Sequence, residues 1–157
     1  MGYQLQRIQQ LQCDAATAWK FFSSPNNLSH ITPKEMNFTV LSKVSDESLY
    51  EGMLIDYTVS PLFGIPLRWQ TKIIRVDKGK SFMDIQQRGP YRQWNHLHEF
   101  IPNADGVLMK DTVTYTLPLG VLGHVAHSLI VRNKLKAIFD YRYKVLDILF
   151  NPRKENL

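Results

Sequence analysis

The 157 residues, 44% hydrophobic and 21% charged, are ordinary for a globular chain and enough for one domain, 1–157, to bury its own core. The lone Cys13 excludes an intrachain disulfide framework, and no apolar run reaches the roughly 18 residues of a membrane span. A net charge of +5 implies nucleic acid or an anionic membrane only where it is clustered. The one concentration, Arg132, Lys134, Lys136, Arg142, Lys144, Arg153 and Lys154, reads as a solvated helix face, so neither nucleic-acid binding nor stable membrane insertion is expected. MGYQLQRIQQLQ is too polar for a signal peptide and has Gln6 where a myristoylation signal needs Ser or Thr, so a cytoplasmic location is expected.

Along the chain, Tyr3–Leu11 alternates Tyr3, Leu5 and Leu11 with polar residues and predicts a strand, with Ile8 out of phase. Asp14 suits the N-cap of a short helix Ala15–Phe22, which would present Ala16, Trp19 and Phe22 on one face. Ser24-Pro25 restarts a helical turn that runs to about Ile31 and stops before Pro33. Strands follow at Phe38–Val44, Met53–Ser60, Leu67–Val76, Ser81–Arg88, Gln93–Ile101 and Lys110–Leu117, joined by connections too short for crossovers and therefore antiparallel. Leu122–Phe150 has a helical apolar period and ends at Asn151-Pro152. Its apolar face has only the sheet to pack against.

This order, and the words AWKFFSSPNNLSHITP, PLFGIPLRWQTKI, SFMDIQQRGPYRQWNHLHEF and DTVTYTLPLGVLGHV, resemble the SRPBCC superfamily, the START-like and pollen-allergen-like ligand-binding domains. The resemblance covers essentially the whole chain and is nearest to small bacterial ligand-binding members. It implies an α+β helix-grip fold: a curved antiparallel sheet of about seven strands wrapped around a long C-terminal helix, with two short helices after the first strand. It does not imply one activity, because the superfamily includes lipid carriers, hormone receptors, polyketide cyclases and ring-hydroxylating oxygenase subunits.

Strand alternation sorts the residues by face. One phase collects Trp69, Thr71, Ile73, Phe82, Asp84, Gln86, Trp94, His96, His98, Phe100, Asp111, Val113 and Tyr115, and the other is mostly long polar or threonine. The first set should face the helix, joined by Met53, Ile55, Tyr57 and Val59. From it, Tyr57, Trp69, Thr71, Phe82, Asp84, Gln86, Trp94, His96, His98, Phe100, Asp111 and Tyr115 are expected to line a cavity for a small hydrophobic molecule: a lipid, isoprenoid, aromatic or polyketide-like compound. Buried carboxylates and imidazoles need partners. Three roles stay open for Asp84, His96, His98 and Asp111: a self-satisfied network pairing Asp84 with His96 and His98 with Asp111, the holding of a ligand's polar end, or acid–base catalysis as in a cyclase or dehydratase. A regulatory protein with a vestigial pocket is a further alternative.

His96-x-His98 places two imidazoles on one face, but without a Cys cluster or longer motif no metal site and no cofactor are assigned. His124-x-x-His127 reads as surface or gate residues, and Cys13 has no catalytic partner in sequence. Alternate loops of the meander share one end, where Leu62, Phe63, Ile65, Pro90, Tyr91 and Leu119 would form the mouth of the pocket.

Overall fold

A computed structural model describes residues 2–43, 49–61, 64–118, 120, 125 and 130–152. Its elements are β1 (Tyr3–Leu11), α1 (Ala15–Phe22), two 3-10 turns (Pro25–Ser29 and Lys34–Met36), β2 (Thr39–Val40), β3 (Leu54–Val59), β4 (Leu67–Asp77), β5 (Ser81–Arg88), β6 (Gln93–Asn103), β7 (Gly106–Thr116) and α2 (Arg132–Phe150). The strands make one seven-stranded antiparallel sheet in the order β1-β7-β6-β5-β4-β3-β2, so the first strand joins the last and the rest is a meander. This is the expected α+β helix-grip arrangement.

Local chemistry explains most boundaries. The Asp14 carboxylate accepts a hydrogen bond from the Thr17 N–H at 2.7 Å and caps α1. The buried face of α1 is Ala18 and Trp19, whereas Ala16, expected inside, is exposed. Trp19 needs the sheet beneath it, and Phe82 and Phe100 meet its indole edge-on. Ile8 is 51% exposed, in keeping with its odd phase. The second edge strand is two residues, far shorter than Phe38–Val44; residues 44–48 lie outside the described set. The lower part of the expected helix, 122–124 and 126–129, also lies outside it, and α2 is described from Arg132.

Two departures from strict alternation position the interior. The register between β4 and β5 shifts between Ile73 and Arg75. Ile73 is buried, Ile74 is exposed, and Val76 rather than Arg75 packs on the core. The last hairpin is also longer than Lys110–Leu117 suggests: β7 starts at Gly106, and Asn103 pairs with Gly106 across Ala104-Asp105. Gly106 sits at φ 122°, and a Cβ there would run into the carbonyl oxygen of Leu11 on β1. Gly79 has φ +80° but open space around it. Gly106→Ala is therefore expected to cost about 2–4 kcal/mol and Gly79→Ala only about 1 kcal/mol, read from urea denaturation midpoints at constant slope.

Candidate functional site

The interior divides into layers. One apolar cluster, built on Trp19, Phe82, Phe100, Met109 and Leu146, fills the end under α1. Another, built on Trp69, Trp94, Val113, Leu135 and Phe139, fills the opposite end. Between them every strand from β3 to β7, and α2 as well, contributes a polar residue: Tyr57, Thr71, Asp84, His96 with His98, Asp111 and Arg142. All but Asp84, which has Phe82 on one side and Gln86 on the other, are flanked along their own elements by members of both clusters; on β6 the sequence runs Trp94, His96, His98, Phe100. The result is a polar belt across the middle of an otherwise apolar core.

The belt is internally connected. Tyr57 Oη and Thr71 Oγ1 share a hydrogen bond of 3.0 Å. Cross-strand register sets Asp84 beside His96 and His98 beside Asp111, but the hydrogen bonds run diagonally, His96 to Asp111 and His98 to Asp84, rather than within the expected pairs. The contacts are denser than two pairs, because each carboxylate meets both rings. His96 Nε2 lies 3.1 Å from Asp111 Oδ1, and His98 Nε2 lies 3.2 Å from Asp84 Oδ2. His98 Nδ1 approaches Asp111 Oδ1 to 2.8 Å but is out of line for a hydrogen bond, and His96 Nδ1 is 4.0 Å from Asp84 Oδ2. The imidazole centroids are 3.8 Å apart.

Burial and charge act differently on the two rings. Burial, reinforced by the neighbouring His98, pushes the pKa of His96 down. Burial would also lower His98, but Asp111 and Asp84 outweigh it and raise it to about 9. Asp111, 1% exposed, would be raised by burial, yet His98 and His96 hold it well below the ordinary carboxylate range. A deprotonated Asp111 can only accept, so His96 Nε2 carries the proton and donates it, leaving Nδ1 as a lone-pair acceptor. A neutral imidazole beside a protonated one is a combination that can accept and deliver protons.

Arg142, expected on a solvated helix face, is instead 8% exposed. Its guanidinium lies over the Phe139 ring, with Nη1 3.7 Å from Asp111 Oδ2. Its Nε has no hydrogen-bond partner among the described residues. The signal for it is an arginine in phase with the apolar positions Leu135, Phe139 and Leu146 of the helix.

A cavity of about 190 Å³ opens against this belt. Of the residues expected in its wall, Tyr57, Trp69, Thr71, Phe82, Asp84, Trp94, His96 and His98 are there. Gln86, Phe100, Asp111 and Tyr115 are not. The Gln86 amide is spent on the β5–β6 turn, donating to the Tyr91 carbonyl at 2.7 Å and accepting from its N–H at 3.1 Å. Phe100 is enclosed by Trp19, Phe22 and Phe82, Tyr115 packs among Tyr3, Tyr91 and Trp94, and Asp111 stands behind the histidines. Of the expected mouth, Tyr91 is in the wall, Pro90 is half-buried off it, Ile65 is 58% exposed, and Leu62, Phe63 and Leu119 lie outside the described residues, as do His124 and His127. Sequence reasoning missed the wall made by Leu28, Ile31, Thr32, Met36 and Phe38, because two short 3-10 turns set in irregular backbone are too short to show a face-defining period.

The chain has a helix-grip fold, which it shares with solved structures of low sequence identity. Protein CV1439 from Chromobacterium violaceum superposes with a TM-score of 0.70 at 11% identity, covering 96% of this chain and 99% of that one. Norcoclaurine synthase from Thalictrum flavum, a point mutant in complex with a transition-state analogue, gives a TM-score of 0.64 at 16% identity over 93% and 94% of the two chains. Ara h 8.0201 gives 0.56 at 15% identity over 93% and 98%. These likenesses establish the fold. No protein-family model matches the sequence, and no curated protein matches it. Among the described residues no helix is long and apolar enough to cross a membrane.

The belt makes stability depend on pH with a definite sign. The folded-state pKa of His98, about 9, lies above the roughly 6.5 of a free imidazole. Its stabilisation is therefore complete below pH about 6.5 and lost as pH rises through about 9. Thermal unfolding midpoints should fall between pH 7 and pH 10, and His98→Gln should flatten that decline while lowering the midpoint at pH 6.5.

Proposed function

We propose that the chain binds a small, mainly apolar molecule carrying one polar group, with that group set against Thr71, Asp84, His96 and Arg142. The observation behind this is a cavity of about 190 Å³ whose wall is mostly aromatic and aliphatic, with Ser24, Asn27 and Thr32 its polar members outside the polar belt. A few fixed polar groups in an apolar concavity give a ligand orientation as well as affinity.

The volume narrows the ligand class. An engineered apolar cavity of about 150 Å³ takes benzene, while sites for drug-sized molecules start near 300 Å³. A single substituted ring or a short branched chain, such as a phenol or a small isoprenoid alcohol, suits the space as it stands. A long lipid or multi-ring polyketide needs the wall to move. Pro61 and Tyr91, in the wall on neighbouring loops at one end of the meander, are the proposed way in.

Trp69 and Trp94 supply an internal reporter. Phenol, indole and a short isoprenoid alcohol, titrated against the protein, should quench tryptophan emission saturably, with native mass spectrometry showing one molecule per chain. Ile138→Trp, which fills part of the cavity from α2, should weaken binding at least tenfold with the fold retained by circular dichroism. Failure of every ring-sized probe to bind the unaltered protein, or undiminished binding to Ile138→Trp, would remove the support for this function.

A further inference from the structure

We propose that Asp84, His96 and His98 form a binding site for a divalent transition-metal cation of the zinc type in the wall of the cavity, with Asp111 orienting both imidazoles from behind. The two histidines and one carboxylate each offer a donor atom, and these atoms lie within 4.8 Å of one another. Bonds of 2.0–2.2 Å to a common ion place such donors about 3–3.5 Å apart. Asp84 Oδ2 and His98 Nε2 already stand at 3.2 Å, and Asp84 Oδ2 and His96 Nδ1 at 4.0 Å. Side-chain rotation of the order of an ångström completes the set.

Three further observations support a cation there. First, all three donor residues line the cavity while Asp111 does not, so an ion has an approach and keeps open coordination positions on the cavity side. Second, Asp111 Oδ1 contacts His96 Nε2 at 3.1 Å and His98 Nδ1 at 2.8 Å. His96 is thus held through Nε2 by a hydrogen bond and His98 faces Asp111 through Nδ1 by charge alone, so each imidazole presents its other nitrogen to the Asp84 side. This carboxylate–histidine arrangement fixes tautomer and ring direction at metal sites. Third, Asp84 and Asp111 set two carboxylates against one guanidinium, that of Arg142, and a further cation is favoured beside them.

The donor set also points to the type of ion. Two imidazole nitrogens and one carboxylate oxygen suit zinc and its neighbours rather than calcium or magnesium, which favour all-oxygen shells. With a divalent ion bound, the cluster carries one excess positive charge, which favours an anionic or strongly dipolar donor entering from the cavity. The inference needs only the side chains of the belt and holds whether or not an organic ligand occupies the cavity.

The test uses the full chain freed of metal by chelation, with Zn²⁺ and Co²⁺ as probes. Calorimetry should give one Zn²⁺ per chain with micromolar or tighter affinity, and Co²⁺ should show visible ligand-field absorption that Zn²⁺ abolishes. His96→Gln, His98→Gln and Asp84→Asn should each weaken Zn²⁺ at least 100-fold, and Asp111→Asn about 10- to 100-fold. His30→Gln, His124→Gln and His127→Gln, which alter the remaining histidines, should leave it unchanged. The Co²⁺ spectrum of the unaltered protein decides the matter even where a belt variant fails to fold. The proposal is overturned if the unaltered chain binds neither ion, if His96→Gln and His98→Gln variants that fold keep full affinity, or if binding is lost with His30, His124 or His127.

Discussion

The carboxylate of Asp111 is the constraint on which the interior depends. It stands on β7, almost fully buried, within reach of both histidines of β6 and the arginine of α2. A buried carboxylate costs several kcal/mol unless cations and donors surround it. The requirement fixes much else: the protonated nitrogen of His96, the charge on His98, and an inward arginine on a helix face that otherwise buries leucine and phenylalanine. The helix that the sheet grips is held by apolar packing at both ends of this contact and by charge in the middle.

The polar belt also explains why the core falls into two clusters. Apolar side chains cannot be continuous through a layer of aspartate, histidine and arginine, so Phe100 and Leu146 pack on one side while Trp94 and Leu135 pack on the other. A layer of this kind costs stability compared with an all-apolar core, and its members other than Asp111 face a cavity as well as one another. Oriented donors and acceptors are presented to a space of about 190 Å³ in surroundings where electrostatic interactions are poorly screened.

Much of this was legible in the sequence. Period-two alternation on β4 to β7 assigned the inward face, and cross-strand register brings each carboxylate beside a histidine, although the hydrogen bonds run diagonally, His96 to Asp111 and His98 to Asp84. What escaped has physical causes. The bulge after Ile73 changes which residues face in, and no composition rule locates a bulge. Gln86 has the right phase but its amide is captured by the neighbouring turn. Arg142 shares a helix with several exposed basic residues, and only its position in the apolar stripe sets it apart. The wall around Leu28 to Phe38 is irregular backbone with no period to read.

One buried carboxylate, that of Asp111, holds its two histidines in different protonation states. Nitrogen-15 NMR of the metal-free protein, with imidazole signals followed from pH 5 to pH 10, reads this directly. At pH 7 His98 should be doubly protonated and keep its second proton until about pH 9, while His96 should be neutral with its proton on Nε2. Two neutral rings at pH 7, two charged ones, or a proton on His96 Nδ1 would contradict it.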